Sequence, residues 1–420
     1  MEISPFQAIR YDERIVGDLA RVICPPYDIV SLEQQTLYHK KSDYNAIRLE
    51  LPVEDPEPGG DRYERAATTF RCWLRDGILQ REGTPGFYLH HHEFEYSGRR
   101  RVRCGLIARV KLQPWGRNIY PHEETGSKAK RDRLELMRAC RASFSPLLSL
   151  YQDSGGALAA ILSRVARERP LLWFHDCNES HAVWGVTGLD DKEEVSRLLG
   201  TLPLYVADGH HRYETALTYR QQMAKGQSSG ARKPFNYVMM ELVDFSDHGL
   251  VVLPLHRLVR GIVPSVLAGL SGQLRNLFTL ESVTLGTNRA QWPAGCCLGI
   301  LGLHPGSMVI LKRHQDVPLR AMMPDGRSHA YREFGVSILN HIILDKLLGG
   351  EDGLDVVYTV DSNDAYRQVV ENRQYQLAFL LPPAQPAVVK AVADAGDRMP
   401  RKSTYFYPKV PAGLIISSLE

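Results

Sequence analysis

Strand-like and helix-like segments interleave along this chain from end to end, with no repeat period and no low-complexity tract. That alternation favours an α/β or mixed α+β architecture. At 420 residues, with 44% hydrophobic and 24% charged residues, the chain can bury more than one ordinary core. Two or three domains are expected. The least structured stretches are AKGQSSGARKP at 224–234, LGTNRAQWPAG at 285–295 and the Gly155-Gly156 pair, which suggest regions 1–154, 155–290 and 291–420.

Individual elements can be assigned from period and punctuation. Ser31 followed by Gln34 reads as a capping box for a helix reaching about Lys41. AIRLELP (46–52) reads as a strand, and Tyr63, Ala66, Ala67, Phe70 and Trp73 recur at helical spacing before a stop at Gly77. GFYLHHHEFEY and RVRCGLIARVKL read as a hairpin through Ser97-Gly98, and LVVLPLHRL (250–258) as one strand.

Composition narrows the function classes. The formal net charge of +3 makes no case for nucleic acid or a membrane surface. No run approaches the roughly 18 apolar residues of a membrane span, and the first residues lack the basic-then-apolar order of a secretory signal. A cytoplasmic enzyme or binding protein is the expectation, and a homo-oligomer is compatible with it. Cys24, Cys72, Cys104, Cys140, Cys177, Cys296 and Cys297 include no C-x-x-C, so they are expected to be reduced.

The stretch YVADGHHRYETAL (205–217) carries the clearest chemistry. An apolar strand ends at Asp208, Gly209 lets the backbone turn, and a helix begins among His210, His211 and Arg212. A helix start presents backbone donors and a positive dipole end, to which these side chains add more donors. The pattern suits an anion, above all phosphate. Asp208 could hold a magnesium ion or cap the helix. If Arg212 serves phosphate, its replacement by alanine should weaken nucleotide binding by about 1.5–3 kcal/mol and hardly disturb the fold.

A second segment runs from Tyr120 to Tyr151. His122, Glu123 and Thr125 open it, and Lys128, Lys130, Arg131, Arg133, Arg138 and Arg141 follow on a helical pattern before Ser143 and Ser145-Pro146. Clustered cations beside a His-Glu pair suit phosphorylated or carboxylated ligands, with Glu123 available as a base. A solvated basic face is the alternative. His90-His91-His92-Glu93 resembles a metal tract, yet strand alternation allows at most two of those side chains to converge. Pro25-Pro26-Tyr27-Asp28 could be a ligand-facing turn or a strand end, and MPRKSTYFYPK near the C-terminus interleaves cations with aromatics.

Taken together, PPYDIVS, PHEETGSKAKRDRLELMRACRASFSPLLSLY, YVADGHHRYETA, GLVVLPLHR and RMPRKSTYFYPK resemble a bacterial and archaeal family of unknown function often labelled ParB-like or SpoOJ-like. The DGHHR element is also similar to the phosphate-binding turn of the ParB and sulfiredoxin superfamily and its free serine kinases. This resemblance implies a ParB/sulfiredoxin-like nucleotide-binding core with additional α/β regions. It implies ATP or ADP with Mg2+ as cofactors, and a nucleotide and a small molecule as partners. Carried over, Asp208, Gly209, His210, His211 and Arg212 serve phosphate or magnesium; Asp208 and His210 are also expected to be catalytic, and His122, Thr125 and Lys128 of the second segment are expected on the phosphate side. Glu123, on its His-Glu pair, is the expected carboxylate that acts on a hydroxyl, and Arg133, Arg141 and Ser143 of the same segment are expected to face the substrate. Glu124 departs from the H-E-R-T form common in the family, which puts one phosphate-directed cation in doubt.

The expected function is therefore phosphotransfer between a nucleotide and a small hydroxy compound, with serine and O-phosphoserine leading. The competing class is a ParB-like, nucleotide-binding DNA-associated protein, which should show a helix-turn-helix and a basic domain; neither stands out.

Overall fold

A computed structural model describes residues 1–54, 60–124, 126–225, 233–284, 296–314, 317, 319–350 and 353–420. Its elements are mixed α and β throughout. They group into two compact units, one made of Met1–Pro121, Thr125–Val251 and Pro408–Glu420, the other of His122–Glu124 and Val252–Tyr407. The expected junction at 154/155 falls inside the first unit, because Leu147–Tyr151 pairs with two strands from later in the chain, Leu204–Asp208 and Tyr237–Asp244. Of the linkers expected at 224–234 and 285–295, residues 226–232 and 285–295 lie outside the described residues.

Among the described residues, the first unit is built on a nine-stranded sheet. Its order is Ile119–Pro121, Leu204–Asp208, Leu147–Tyr151, Tyr237–Asp244, Arg99–Lys111, Phe87–Tyr96, Glu179–Val186 and Leu172–Asp176, with Ile3–Ser4 paired to Arg99–Lys111. Two pairings are parallel, Leu204–Val206 on Ile119–Pro121 and Met240–Asp244 on Leu147–Tyr151. The hairpin turns at Ser97 (φ 53°) and Gly98 (φ 70°), the pair of positive φ angles that matches the twist of the flanking strands.

Alternation sends the strand side chains into two cores. Tyr88, Ile107, Val183 and Met239 pack with Phe70 and Trp73 of the Arg62–Arg75 helix. Leu89, Leu106, Met240 and Leu242 pack on the other face with Leu158, Leu199 and Tyr213.

The Ser31 capping box is present and starts the helix Leu32–Lys41. AIRLELP, by contrast, is not a strand: Ile47–Glu50 forms one helical turn, started by the Ile47 N–H donating to Asn45 Oδ1 at 3.0 Å. The alternating pattern was ambiguous there because Leu49 and Glu50, neighbours in sequence, are both buried. LVVLPLHRL also divides, into Val251–Leu253 and His256–Arg260, since Pro254 has no N–H for a ladder.

Among the described residues, the second unit carries a six-stranded antiparallel sheet, ordered Phe278–Thr284, Ser307–Arg313, Cys296–His304, Leu377–Leu380, His256–Arg260 and Asp355–Thr359. Leu270 and Leu274 of the Pro264–Arg275 helix and Ile342 and Ile343 of Leu339–Leu347 complete its core. Among the described residues no helix is long and apolar enough to cross a membrane.

Candidate functional site

The strand Leu204–Asp208 sits between a parallel and an antiparallel neighbour, and its pairing shifts register between Val206 and Asp208. Such a bulge re-aims the side chain that follows it. Gly209 then adopts φ 93°, and a Cβ there would lie 2.8 Å from Leu147 Cγ and 3.1 Å from the Arg212 guanidinium. Only glycine fits that backbone and that space. The helix His210–Met223 starts at once, so the first-turn N–H groups, which have no carbonyl one turn back, gather beside the strand end.

Behind this turn runs a buried polar relay. Arg212 Nη2 donates to Asp208 Oδ2 at 2.8 Å, while Nη1 donates to Ser145 Oγ at 2.8 Å and to the Pro146 carbonyl at 2.9 Å. Asp208 Oδ1 is ion-paired with Lys409 Nζ. Ser145 Oγ donates onward to Glu50 Oε1 at 3.1 Å, and the Tyr27 N–H approaches the same oxygen at 3.4 Å. Arg133 closes the group, donating to the Glu50 carbonyl at 2.5 Å with its guanidinium 4.1 Å over the Tyr27 ring. Glu50, Arg133, Ser143, Ser145 and Arg212 line one cavity, whose remaining wall includes Leu147 and Val238.

The two carboxylates of the relay are tuned in opposite directions. Burial alone would raise the Asp208 carboxyl, but the cations of Lys409 and Arg212 outweigh it and hold the group well below the usual carboxylate range. Burial dominates at Glu50, pushing its carboxyl up despite Arg133 and Arg212 nearby. The sign for stability follows. Asp208's contribution is complete above the unfolded value of about 3.9 and is lost as pH falls toward its lower folded value. Glu50, raised in the fold, works against stability as pH climbs above its unfolded value. We expect Asp208→Asn to flatten the acid limb of a stability-versus-pH curve below about pH 4, read from urea unfolding at stepped pH; an unchanged limb contradicts the pairing.

The residues expected from sequence divide into four groups. Asp208, Gly209, His210, His211 and Arg212 share the turn, and Arg133 and Ser143 join Arg212 at the cavity. His210 is buried with its ring 6.3 Å from that of Trp115, and His211 Nε2 accepts the Gly126 N–H at 2.7 Å. Arg141 goes elsewhere: it ends the Ser127–Cys140 helix at φ 48°, exposed, and pairs with Glu420 at 2.8 Å. Lys130 pairs with Glu214 at 2.9 Å, tying that helix to His210–Met223. His122 and Glu123 belong to the second unit, where His122 Nε2 lies 2.9 Å from Thr404 Oγ1 and Glu123 Oε1 accepts the Lys402 N–H at 2.8 Å. Thr125 and the Lys128 side chain lie outside the described residues.

Sequence reasoning missed Glu50 and Lys409. Glu50 was hidden by the strand reading of AIRLELP, although the Pro-Pro-Tyr-Asp turn that packs against it was visible. The expectation that Arg212 could be removed without disturbing the fold is reversed by its burial and its three partners.

Asp208, the side chain expected to hold magnesium, is already engaged, its two oxygens paired with Arg212 and Lys409. Positive charge at this turn comes from Arg212 and Lys409 instead.

No curated protein matches this sequence. Solved structures similar to it include a conserved hypothetical protein from Pyrococcus furiosus, at 13% identity and a TM-score of 0.35, covering 73% of this chain and 93% of that one. Another is a free serine kinase variant in complex with AMP, at 12% identity and a TM-score of 0.36, covering 73% and 88%. A third is SbnI with a C-terminal truncation from Staphylococcus aureus, at 11% identity and a TM-score of 0.36, covering 72% and 84%. The family model described as "Protein of unknown function (DUF1015)" matches residues 3–336, a description that carries no ParB or SpoOJ label, and the chain belongs to that family.

Proposed function

We propose that this protein is a nucleotide-dependent small-molecule phosphotransferase, with serine and O-phosphoserine or a similar small hydroxy compound as the substrate pair. The observation that carries the reading is the turn at Asp208-Gly209, where a helix start, His210, His211 and the cations Arg212 and Lys409 meet beside a strand end. Phosphoryl transfer asks for charge neutralisation and positioning more than covalent chemistry, and this turn supplies both. ATP or ADP phosphates would lie on the first-turn N–H groups. The substrate hydroxyl oxygen attacks the terminal phosphorus and the bond to the bridging oxygen breaks. The shortened nucleotide leaves, and the hydroxyl proton passes to a carboxylate.

That carboxylate is proposed to be Glu123, on the sequence resemblance; Glu50 is the alternative, on its burial beside Arg133. The two are separable. Glu123→Gln is expected to keep nucleotide affinity and lower turnover by about 10²–10⁴-fold, the usual worth of a positioned base, while Glu50→Gln keeps turnover. The reverse result moves the role to Glu50. The defining experiment incubates the full chain with magnesium and ATP or ADP against small hydroxy compounds and their phosphates, followed by phosphorus NMR. Turnover of none, together with tight and salt-dependent DNA binding, replaces this reading with a ParB-like one.

A further inference from the structure

His90 and His92 lie on one face of the strand Phe87–Tyr96, while His91 points to the other and meets Trp184. Spacing within one strand stops at two convergent histidines. The neighbouring strand supplies a third, because His181 of Glu179–Val186 stands directly opposite His92 in the antiparallel register. One ring nitrogen from each of His90, His92 and His181 lies within 4.8 Å of the other two, and all three side chains are buried.

The surrounding carboxylates make this more than a packed trio. Glu241, fully buried, faces His90 Nδ1 at 3.4 Å and Arg103 Nε at 3.7 Å, and among the described residues neither Glu241 oxygen nor His90 Nδ1 has a hydrogen-bond partner. Glu179, a third exposed, lies 3.9 Å from His181 Nε2. Its hydrogen bond is to His92, whose Nε2 lies 2.7 Å from Glu179 Oε2, while the fully buried Arg103 sets Nη2 3.4 Å from His92 Nδ1. The inner nitrogens, His90 Nε2 and His181 Nδ1, lie 3.0 Å apart, a hydrogen bond when one of the two carries the proton. That separation is close to the roughly 3.3 Å between zinc-bound imidazole nitrogens when each bond is about 2.0 Å.

We propose that His90, His92 and His181 form a binding site for a zinc-type divalent transition-metal ion, with Glu179 at its open side and Glu241 behind His90. Three imidazoles and a carboxylate are a borderline-soft set that suits zinc over magnesium or calcium. Glu241 holds the ring of His90 as carboxylates commonly hold metal-bound histidines. Glu179 marks the entry path, being the partly exposed member of the group, and at 2.7 Å from His92 Nε2 it can follow that ring onto the ion. The ion would tie Phe87–Tyr96 to Glu179–Val186 within the first unit's sheet. This site stands apart from the Asp208 turn and does not rest on the phosphotransferase reading.

The test uses untagged full chain, stripped with chelator and titrated with cobalt(II), then competed with zinc(II). Expected are visible absorption bands of a low-symmetry, four-coordinate ion saturating at about one cobalt per chain, and their loss when zinc is added. His181→Asn and His92→Asn should lose the bands, and His91→Asn, on the opposite face, should keep them. Far-ultraviolet circular dichroism shows which variants are folded. Wild-type protein that takes up neither cobalt nor zinc overturns the site whatever the variants do, and so does uptake that persists in folded His181→Asn.

Discussion

Arg212→Ala is expected to lower the stability of the first unit by about 3–5 kcal/mol, the range for breaking a buried ion pair from one side. Arg212 and Asp208 are nearly buried, with side-chain exposures of 10% and 15%, so solvent screens the pair little. Removing the guanidinium strands three acceptors at once: Asp208 Oδ2, Ser145 Oγ and the Pro146 carbonyl. Asp208 keeps Lys409, which places the effect toward the lower end of the range. Urea unfolding followed by tryptophan fluorescence reads the shift. A variant within about 0.5 kcal/mol of wild type, the scatter of ordinary surface changes, contradicts the relay.

The second large effect is expected at Gly209. Its φ of 93° costs a residue with a Cβ about 1–3 kcal/mol, and the added methyl would sit 2.8 Å from Leu147 Cγ. Leu147 is core and 1% exposed, so it has little room to give. Gly209→Ala should therefore destabilise by about 2–4 kcal/mol and, by pushing Arg212 and the helix start apart, weaken nucleotide binding as well. Gly155→Ala is the control. Its added carbon would meet only Asp153 Oδ1 at 3.6 Å, and it should melt and bind as wild type does. Equal melting of the two variants removes the argument that the turn demands glycine.

Much of this architecture was legible because local signals agreed with the fold. The Ser31 box, the Ser97-Gly98 turn and the apolar stripe Ala66, Ala67, Phe70 and Trp73 each needed only neighbours in sequence to be read. The DGHHR turn was legible for the same reason, since strand end, glycine and helix start are contiguous. What failed were readings that depended on distant partners. Glu50 became a site residue only through Arg133 and Ser145, some 80 to 95 positions away. Lys409 reaches Asp208 across 201 positions, and no spacing rule links them. The histidine strand shows the limit most clearly: alternation correctly allowed two convergent histidines from one strand, but the third depends on which strand lies alongside. The weak domain boundary at 154/155 has the same origin, because a Gly-Gly pair marks a turn whether or not the sheet continues beyond it.

Calorimetric titration of ATP and of ADP, each with magnesium, into the full-length chain tests the central claim most directly. The account predicts saturable binding of about one nucleotide per chain, weakening as salt is raised because the turn recognises phosphate through charge. Folded protein that gives no binding heat with either nucleotide, at low salt and with magnesium present, would contradict it.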